Sequence, residues 1–269
     1  MTAHIHLGCQ GWNYAAWVGP FYPEKTRVAD FLTVYARAFE TVEVDSTFYA
    51  TPSAQTVRGW AERTPEQFTF ALKLPQEITH ELRLRNAREQ TDRFFDVARE
   101  LGPKLGPVLV QLGPDFGPPE LPALAAFLPT LPRDVHVAVE FRQRGRINDG
   151  IIALLAEHNV ALALVDARWI PRSTMLKLAE HPTADFAYLR WMGPNRDIVD
   201  YSRVQYDRSR EMEGWLKVLP AIAKQVKVAY GYVNNHFSGH SPANVREMRR
   251  ALGLTVVEPG QLGEQLRLF

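Results

Sequence analysis

Short apolar runs rich in β-branched and aromatic residues alternate along the chain with segments whose apolar positions recur every three or four residues. The runs predict eight strands: 4–11 (HIHLGCQG), 41–48 (TVEVDSTF), 68–75 (FTFALKLP), 107–113 (PVLVQLG), 136–142 (HVAVEFR), 161–167 (ALALVDA), 186–193 (FAYLRWMG) and 226–234 (VKVAYGYVN). The periodic segments predict a helix after each strand, over 27–39, 53–64, 86–101, 121–131, 148–159, 173–181, 207–225 and 241–252. Ser53 is placed to cap the second helix, and Ser241, with Pro242 at the first helical position, the last.

Eight strand–helix units in strict order, in 269 residues, point to an α/β fold, a TIM (β/α)8 barrel of roughly 250 residues forming a single domain over 1–269. No Gly/Ser-rich linker, charge block or repeat suggests a boundary. A doubly wound open sheet shares the alternation. Its dinucleotide form needs small residues in a Gly-rich turn after the first strand, where GCQGWNYAAW supplies bulky aromatics.

Alternate residues of a barrel strand face inward, and the last inward ones line the functional end. Counting in twos from the apolar phase, those positions are Glu43 and Asp45, Lys73, Gln111, Glu140 and Arg142, Asp166, Arg190 and Asn234. All are polar. Buried unpaired charges cost several kcal/mol each, so these groups must pair, hydrogen-bond or face a watered pocket. An ion-pair lattice that merely closes the barrel is the bland explanation. Apolar residues would close it at least as stably, which favours a ligand site.

Six separated motifs occur in order: GWNYAAWVGPFYP, FETVEVDSTFYATPSAQTVRGWAERTPEQFTFALKLPQEITH, LGPKLGPVLVQLGPDF, AVEFR, YLRWMG and YVNNHFSGHSPANV. In these the chain resembles the DUF72, or YecE-like, family over nearly its whole length. The resemblance implies a TIM barrel and leaves the activity open. The family's motifs correspond here to Gly11, Trp12, Glu43, Asp45, Phe48, Tyr49, Lys73, Gln111, Glu140, Arg142, Arg190, Gly193, Asn234 and Asn235. Asp45 stands where many members carry Asn, and Cys9 where a small or hydroxyl residue is common, which argues against Cys9 as a nucleophile.

Composition narrows the setting. Lys+Arg number 31 against 30 Asp+Glu, so overall charge selects neither nucleic acid nor an acidic partner. The one cysteine excludes an internal disulfide and a thiolate zinc cage, and fits a reducing cytoplasm. With no signal-like start and no apolar run near 20 residues, a cytoplasmic protein without membrane association is expected.

Local charge says more. Loops after the strands carry Lys73, His80, Arg83, Arg85, Arg142, Arg144, Arg146, Arg168, Arg172, Arg190, Arg196 and Arg203, which predicts an electropositive mouth for an anionic small molecule or nucleic acid. Loops seven and eight, with Gly193, Gly239 and a helix start at Ser241, are where such barrels often hold phosphate. Trp12, Tyr49 and Trp191 are candidates for stacking on a base or sugar.

The leading expectation is a hydrolase of a phosphoester or other anionic substrate. Glu140, Asp45, Asp166 and Lys73 would be catalytic, and Arg142, Arg190, Gln111, Glu43, Asn234 and Asn235 would hold the substrate. Glu140 would be the base, or the acid if Asp45 and Glu43 raise its pKa. No motif requires a cofactor; Mg²⁺ or Mn²⁺ on Asp45, Glu140 and Asp166 is a variant of the scheme. His236 and His240 read as surface or rim residues. A two-carboxylate glycosidase, a Schiff base on Lys73 and a non-catalytic anion-binding protein are the alternatives.

Overall fold

The computed structural model describes residues 3–143, 145, 147–194 and 197–264. Arg144, Arg146 and Arg196, counted among the loop cations, lie outside the described residues. All eight strands form: β1 His4–Gln10, β2 Thr41–Val44, β3 Thr69–Lys73, β4 Leu105–Gln111, β5 Val137–Glu140, β6 Ala161–Ala167, β7 Phe186–Gly193 and β8 Val228–Val233. They pair in parallel, each with the next and β8 with β1, closing a barrel. The helices α1 Phe31–Ala38, α2 Ala54–Glu62, α3 Arg88–Ala98, α4 Leu121–Phe127, α5 Asp149–Glu157, α6 Arg172–Leu178, α7 Ser209–Ile222 and α8 Ser241–Ala251 alternate with them, and a short α9, Pro259–Glu264, ends the described chain. Among the described residues, no helix is long and apolar enough to cross a membrane.

Side chains at partnered positions of parallel strands point the same way, so the registers fix which phase is inward. Gln10 pairs with Glu43, Glu43 with Ala71, Lys73 with Leu109, Gln111 with Glu140, and Arg190 with Tyr232. These residues face the barrel interior. Val42, Phe70, Val108 and Val139 occupy the opposite phase, under the helices, and are fully buried. Tyr35 of α1 ties β1 to β2 where the two strands splay: its hydroxyl accepts the Cys9 N–H at 2.7 Å and donates to the Thr41 carbonyl at 2.9 Å.

Several expectations change. β2 ends at Val44, and Asp45–Phe48 turn into a 3-10 helix, while β5 ends at Glu140; Asp45, Arg142 and Asn234 therefore reach the rim from just beyond the strand ends. Ser53 caps α2, its hydroxyl accepting the Thr56 N–H at 3.1 Å, but the cap position of α8 is His240, with Ser241 already inside the helix.

The sixth strand is out of phase with the sequence reading. Val165 pairs with inward-facing Arg190, so Asp166, paired with Trp191, faces the helices. Every residue of β6 is buried and, Asp166 apart, both its faces are apolar, so its sequence pattern carries no phase.

Candidate active site at the carboxyl end of the barrel

Arg190 occupies the centre of the barrel top. Its Nε and Nη2 donate to the two oxygens of Glu43 at 2.8 and 2.7 Å, and its Nη1 donates to Glu140 Oε2. The Tyr188 hydroxyl, on the same face of β7, donates to Glu43 Oε2 at 2.6 Å. All three charged side chains are buried. Burial alone would push Glu140 up, but Arg190, then Arg142 and Lys73, outweigh it and hold the carboxyl below its ordinary value. Burial likewise works against the charge of Arg190, and Glu140 and Glu43 overcome it. The cations thus favour the ionised form of Glu140, opposite to the raised pKa that a general acid needs.

Above this core lies a partly exposed layer. Arg142 donates from Nε to Glu140 Oε1 at 3.2 Å and from Nη2 to Gln111 Oε1 at 2.7 Å, and its guanidinium lies 4.9 Å from the centre of the Trp169 ring. Lys73 Nζ donates to Asp45 Oδ1 at 2.8 Å and sits 4.5 Å from the centre of the Phe48 ring. Thr47 fixes the lysine backbone by accepting the Lys73 N–H at 2.9 Å. The Asp45 side chain is 40% exposed and that of Glu140 0%, so Asp45 is the carboxylate a ligand can reach. Burial pushes Asp45 up, but Lys73 and then Arg190 prevail and keep it below the usual carboxylate range. Asn234 donates from Nδ2 to Gln10 Oε1, joining the first and last strands.

Beside this layer, Arg142, Arg168, Trp169, Met192, Gly193, Pro194 and His236 line a hollow of about 100 Å³. The Tyr201 hydroxyl lies 3.2 Å from His236 Nε2 on its flank. Two larger cavities, about 260 and 320 Å³, flank the starts of β5 and β1, with His136 and His4 in their walls. They lie at the amino-terminal end, away from the face that carries chemistry in this fold.

Eight of the residues expected at the mouth thus come together: Glu43, Asp45, Lys73, Gln111, Glu140, Arg142, Arg190 and Asn234. Others do not. Asp166 accepts Arg172 Nε at 2.6 Å and Trp215 Nε1 at 2.7 Å among the helices, so neither a catalytic role at the mouth nor a metal set of Asp45, Glu140 and Asp166 is assembled. Trp191 is fully buried with its ring edge-on to Trp215, and Trp12 packs edge-on against Trp60 and Phe70 of the wall. Trp191 follows the outward phase of β7 and presents no free face for stacking, whereas Trp12, in the bend after β1, is half-buried.

The loop residues divide in the same way. Tyr49 is 72% exposed, edge-on to Phe48. Asn235 is buried and its Oδ1 accepts the Ser241 N–H at 3.0 Å, closing the start of α8 where a phosphate was expected. Gly193 and Gly239 have φ of +70° and +115°, and a Cβ on either would lie 2.3–2.4 Å from a backbone oxygen, of His236 and Arg203 respectively; both let chains pass closely, and Gly193 also lines the hollow.

The loop cations are also largely spoken for. Arg83 pairs with Asp115 at 2.7 Å and Glu120 at 2.9 Å, Arg172 with Asp166, and Arg203 with Asp200 at 3.8 Å. His80 is held below its ordinary pKa by burial and then by Arg142, and so is neutral. Exposed Arg168 and half-buried Arg142, both on the hollow, concentrate the positive charge there. Sequence reasoning missed Gln10 and Tyr188. Their signal was available, since each lies in the inward phase of a strand already assigned.

The model of the family described as "Protein of unknown function DUF72" matches residues 6–265. UPF0759 protein YecE of Escherichia coli (strain K12) is 36% identical over 138 residues, 51% of this chain and 48% of that protein, so this match spans about half of the relative. UPF0759 protein YunF of Bacillus subtilis (strain 168) is 25% identical over 98% of this chain and all of its own length. A DUF72 family protein of Thermotoga maritima MSB8 shares the fold, with a TM-score of 0.80 at 24% identity over 93% of this chain and 99% of that one. With its barrel and its ordered motifs matched almost end to end, this chain belongs to the DUF72 family.

Proposed function

We propose that the carboxyl-end rim hydrolyses a phosphoester or a related anionic substrate, a nucleotide being one such molecule. The observation that carries this reading is the hollow where Arg142 and Arg168 meet beside Trp169 and His236. Arg142 is held in orientation by Glu140 and Gln111, so it meets a phosphoryl group already aligned. Lys73 flanks the same Glu140 and stabilises the negative charge that develops as the ester breaks.

Asp45 orients the attacking water. It is ionised at neutral pH and partly open to solvent, whereas both Glu140 oxygens are occupied by arginines. Glu43 and Glu140 position Arg190 and Arg142 and make no contact with substrate. Arg190 fills the space between Glu43 and Glu140, which leaves no room for the water or sugar that a glycosidase pair needs there.

The test is a panel of nitrophenyl phosphates, phosphodiesters and glycosides, run with the protein and with Asp45→Asn. Turnover of a phosphoester that the variant loses supports the assignment; activity on glycosides alone overturns it. A non-catalytic anion receptor is the second reading, favoured by the complete pairing of the buried carboxylates. In that case no substrate turns over, Asp45→Asn leaves anion binding intact, and affinity for an oligonucleotide falls steeply with salt.

A further inference from the structure

At the opposite end of the barrel, His4 and His6 stand two residues apart at the start of β1, and Glu40 lies in the turn that enters β2. Glu40 Oε1 is 3.3 Å from His4 Nε2 and 3.9 Å from His6 Nδ1, and the two imidazoles meet edge-on with centres 4.4 Å apart. One donor atom from each of the three falls within 4.8 Å of the others, and no second such group of three histidine, cysteine or carboxylate side chains occurs among the described residues. Metal–ligand bonds of about 2.0–2.2 Å in tetrahedral array separate neighbouring donors by roughly 3.4 Å. The His4–Glu40 spacing meets that already, and the His4 side chain, 58% exposed, is free to close the remainder.

We propose that His4, His6 and Glu40 bind a divalent transition metal of the zinc class, through His4 Nε2, His6 Nδ1 and a Glu40 oxygen, with water completing the shell. Two imidazoles and one carboxylate suit zinc or cobalt better than magnesium or calcium, which prefer oxygen throughout. His6 Nδ1 is buried and makes no hydrogen bond, an arrangement folded proteins rarely leave without a purpose. Its ring is fixed by stacking on Tyr230 at 5.1 Å.

Arg249 Nη1 donates to Glu40 Oε1 at 3.1 Å and orients the carboxylate as an outer group. The cavity of about 320 Å³ lined by His4, Glu40 and Arg249 gives an ion and its water access from solvent. The site would link the start of β1 to the α1–β2 turn, and it is independent of the chemistry at the rim.

The test uses the full chain, stripped with chelator and titrated with Co²⁺ by visible absorption and with Zn²⁺ by calorimetry. One saturable equivalent is expected, together with a Tm that rises with Zn²⁺ concentration. His4→Ala should weaken binding by on the order of 100-fold, the upper end of what the loss of an outer group costs, and should shift the Tm response to correspondingly higher Zn²⁺ concentration. Because His4 is exposed, this variant should keep the metal-free Tm of the parent, which separates lost binding from lost folding. Absence of saturable binding, or binding by His4→Ala and Glu40→Gln equal to that of the parent, overturns the proposal.

Discussion

Arg190 and Glu43 form a two-pronged ion pair across the barrel interior, Nε and Nη2 to the two carboxylate oxygens at 2.8 and 2.7 Å, with both side chains fully buried. The pair joins β7 to β2, strands that are not neighbours in the sheet, and the remaining Arg190 nitrogen reaches Glu140 on β5. One guanidinium thus holds three strands and neutralises two carboxylates that water cannot reach.

Arg190→Met should destabilise the protein by about 3–5 kcal/mol, since it leaves Glu43 and Glu140 buried without their shared cation. Denaturant unfolding at neutral pH measures this. A loss below about 1 kcal/mol would mean that the pair contributes little to folding.

Asp45→Asn should lower kcat on a phosphoester by roughly 100-fold or more, within the range of general acid–base effects, with little change in KM. Glu140→Gln should instead lower stability and activity together, because it removes the carboxylate that Arg142 and Arg190 share. Steady-state kinetics beside thermal unfolding distinguishes the two patterns.

Acid should destabilise the fold in a defined window. Burial, opposed by the bond between His240 Nδ1 and the Tyr201 carbonyl and by Asp200, and aided by Arg246, lowers the His240 pKa from 6.5 to about 4. The unfolded chain therefore takes up the proton first. The contribution is complete above pH 6.5 and is lost as pH falls towards 4, by about 3 kcal/mol. In His240→Asn the slope of unfolding free energy between those limits should be shallower, with His6, His80 and His136, also lowered by burial, contributing to what remains.

Asp166→Leu should cost stability, through Arg172 and Trp215, while leaving anion binding at the rim unchanged. Calorimetric titration with phosphate in the parent and the variant reads this directly. A lost binding signal in a folded variant would return Asp166 to the mouth.

Gly193→Ala should destabilise by at least about 1–3 kcal/mol, because its φ of +70° is strained for an L residue and its Cβ would lie 2.3 Å from the His236 carbonyl oxygen. Relief of that clash would move loop eight and widen the hollow, so phosphate affinity should fall with the Tm.

The barrel itself was legible in the sequence, because alternation between period two and period 3.6 is a local property that eight strands and eight helices repeat. The polar ends of strands two, three, four, five and seven were legible for the same reason: Glu43, Lys73, Gln111, Glu140 and Arg190 interrupt runs whose opposite phase is apolar. Tertiary structure decided the rest. Asp166 apart, strand six is apolar on both faces, so only its register with β7 shows that Val165 enters the barrel and Asp166 leaves it. Whether an arginine is free or neutralised can depend on partners far along the chain, as Arg190 and Glu43 are, 147 residues apart, and Arg83 and Asp115, 32 apart; a count of charge along the loops cannot see carboxylates that folding brings to the same cations from other segments.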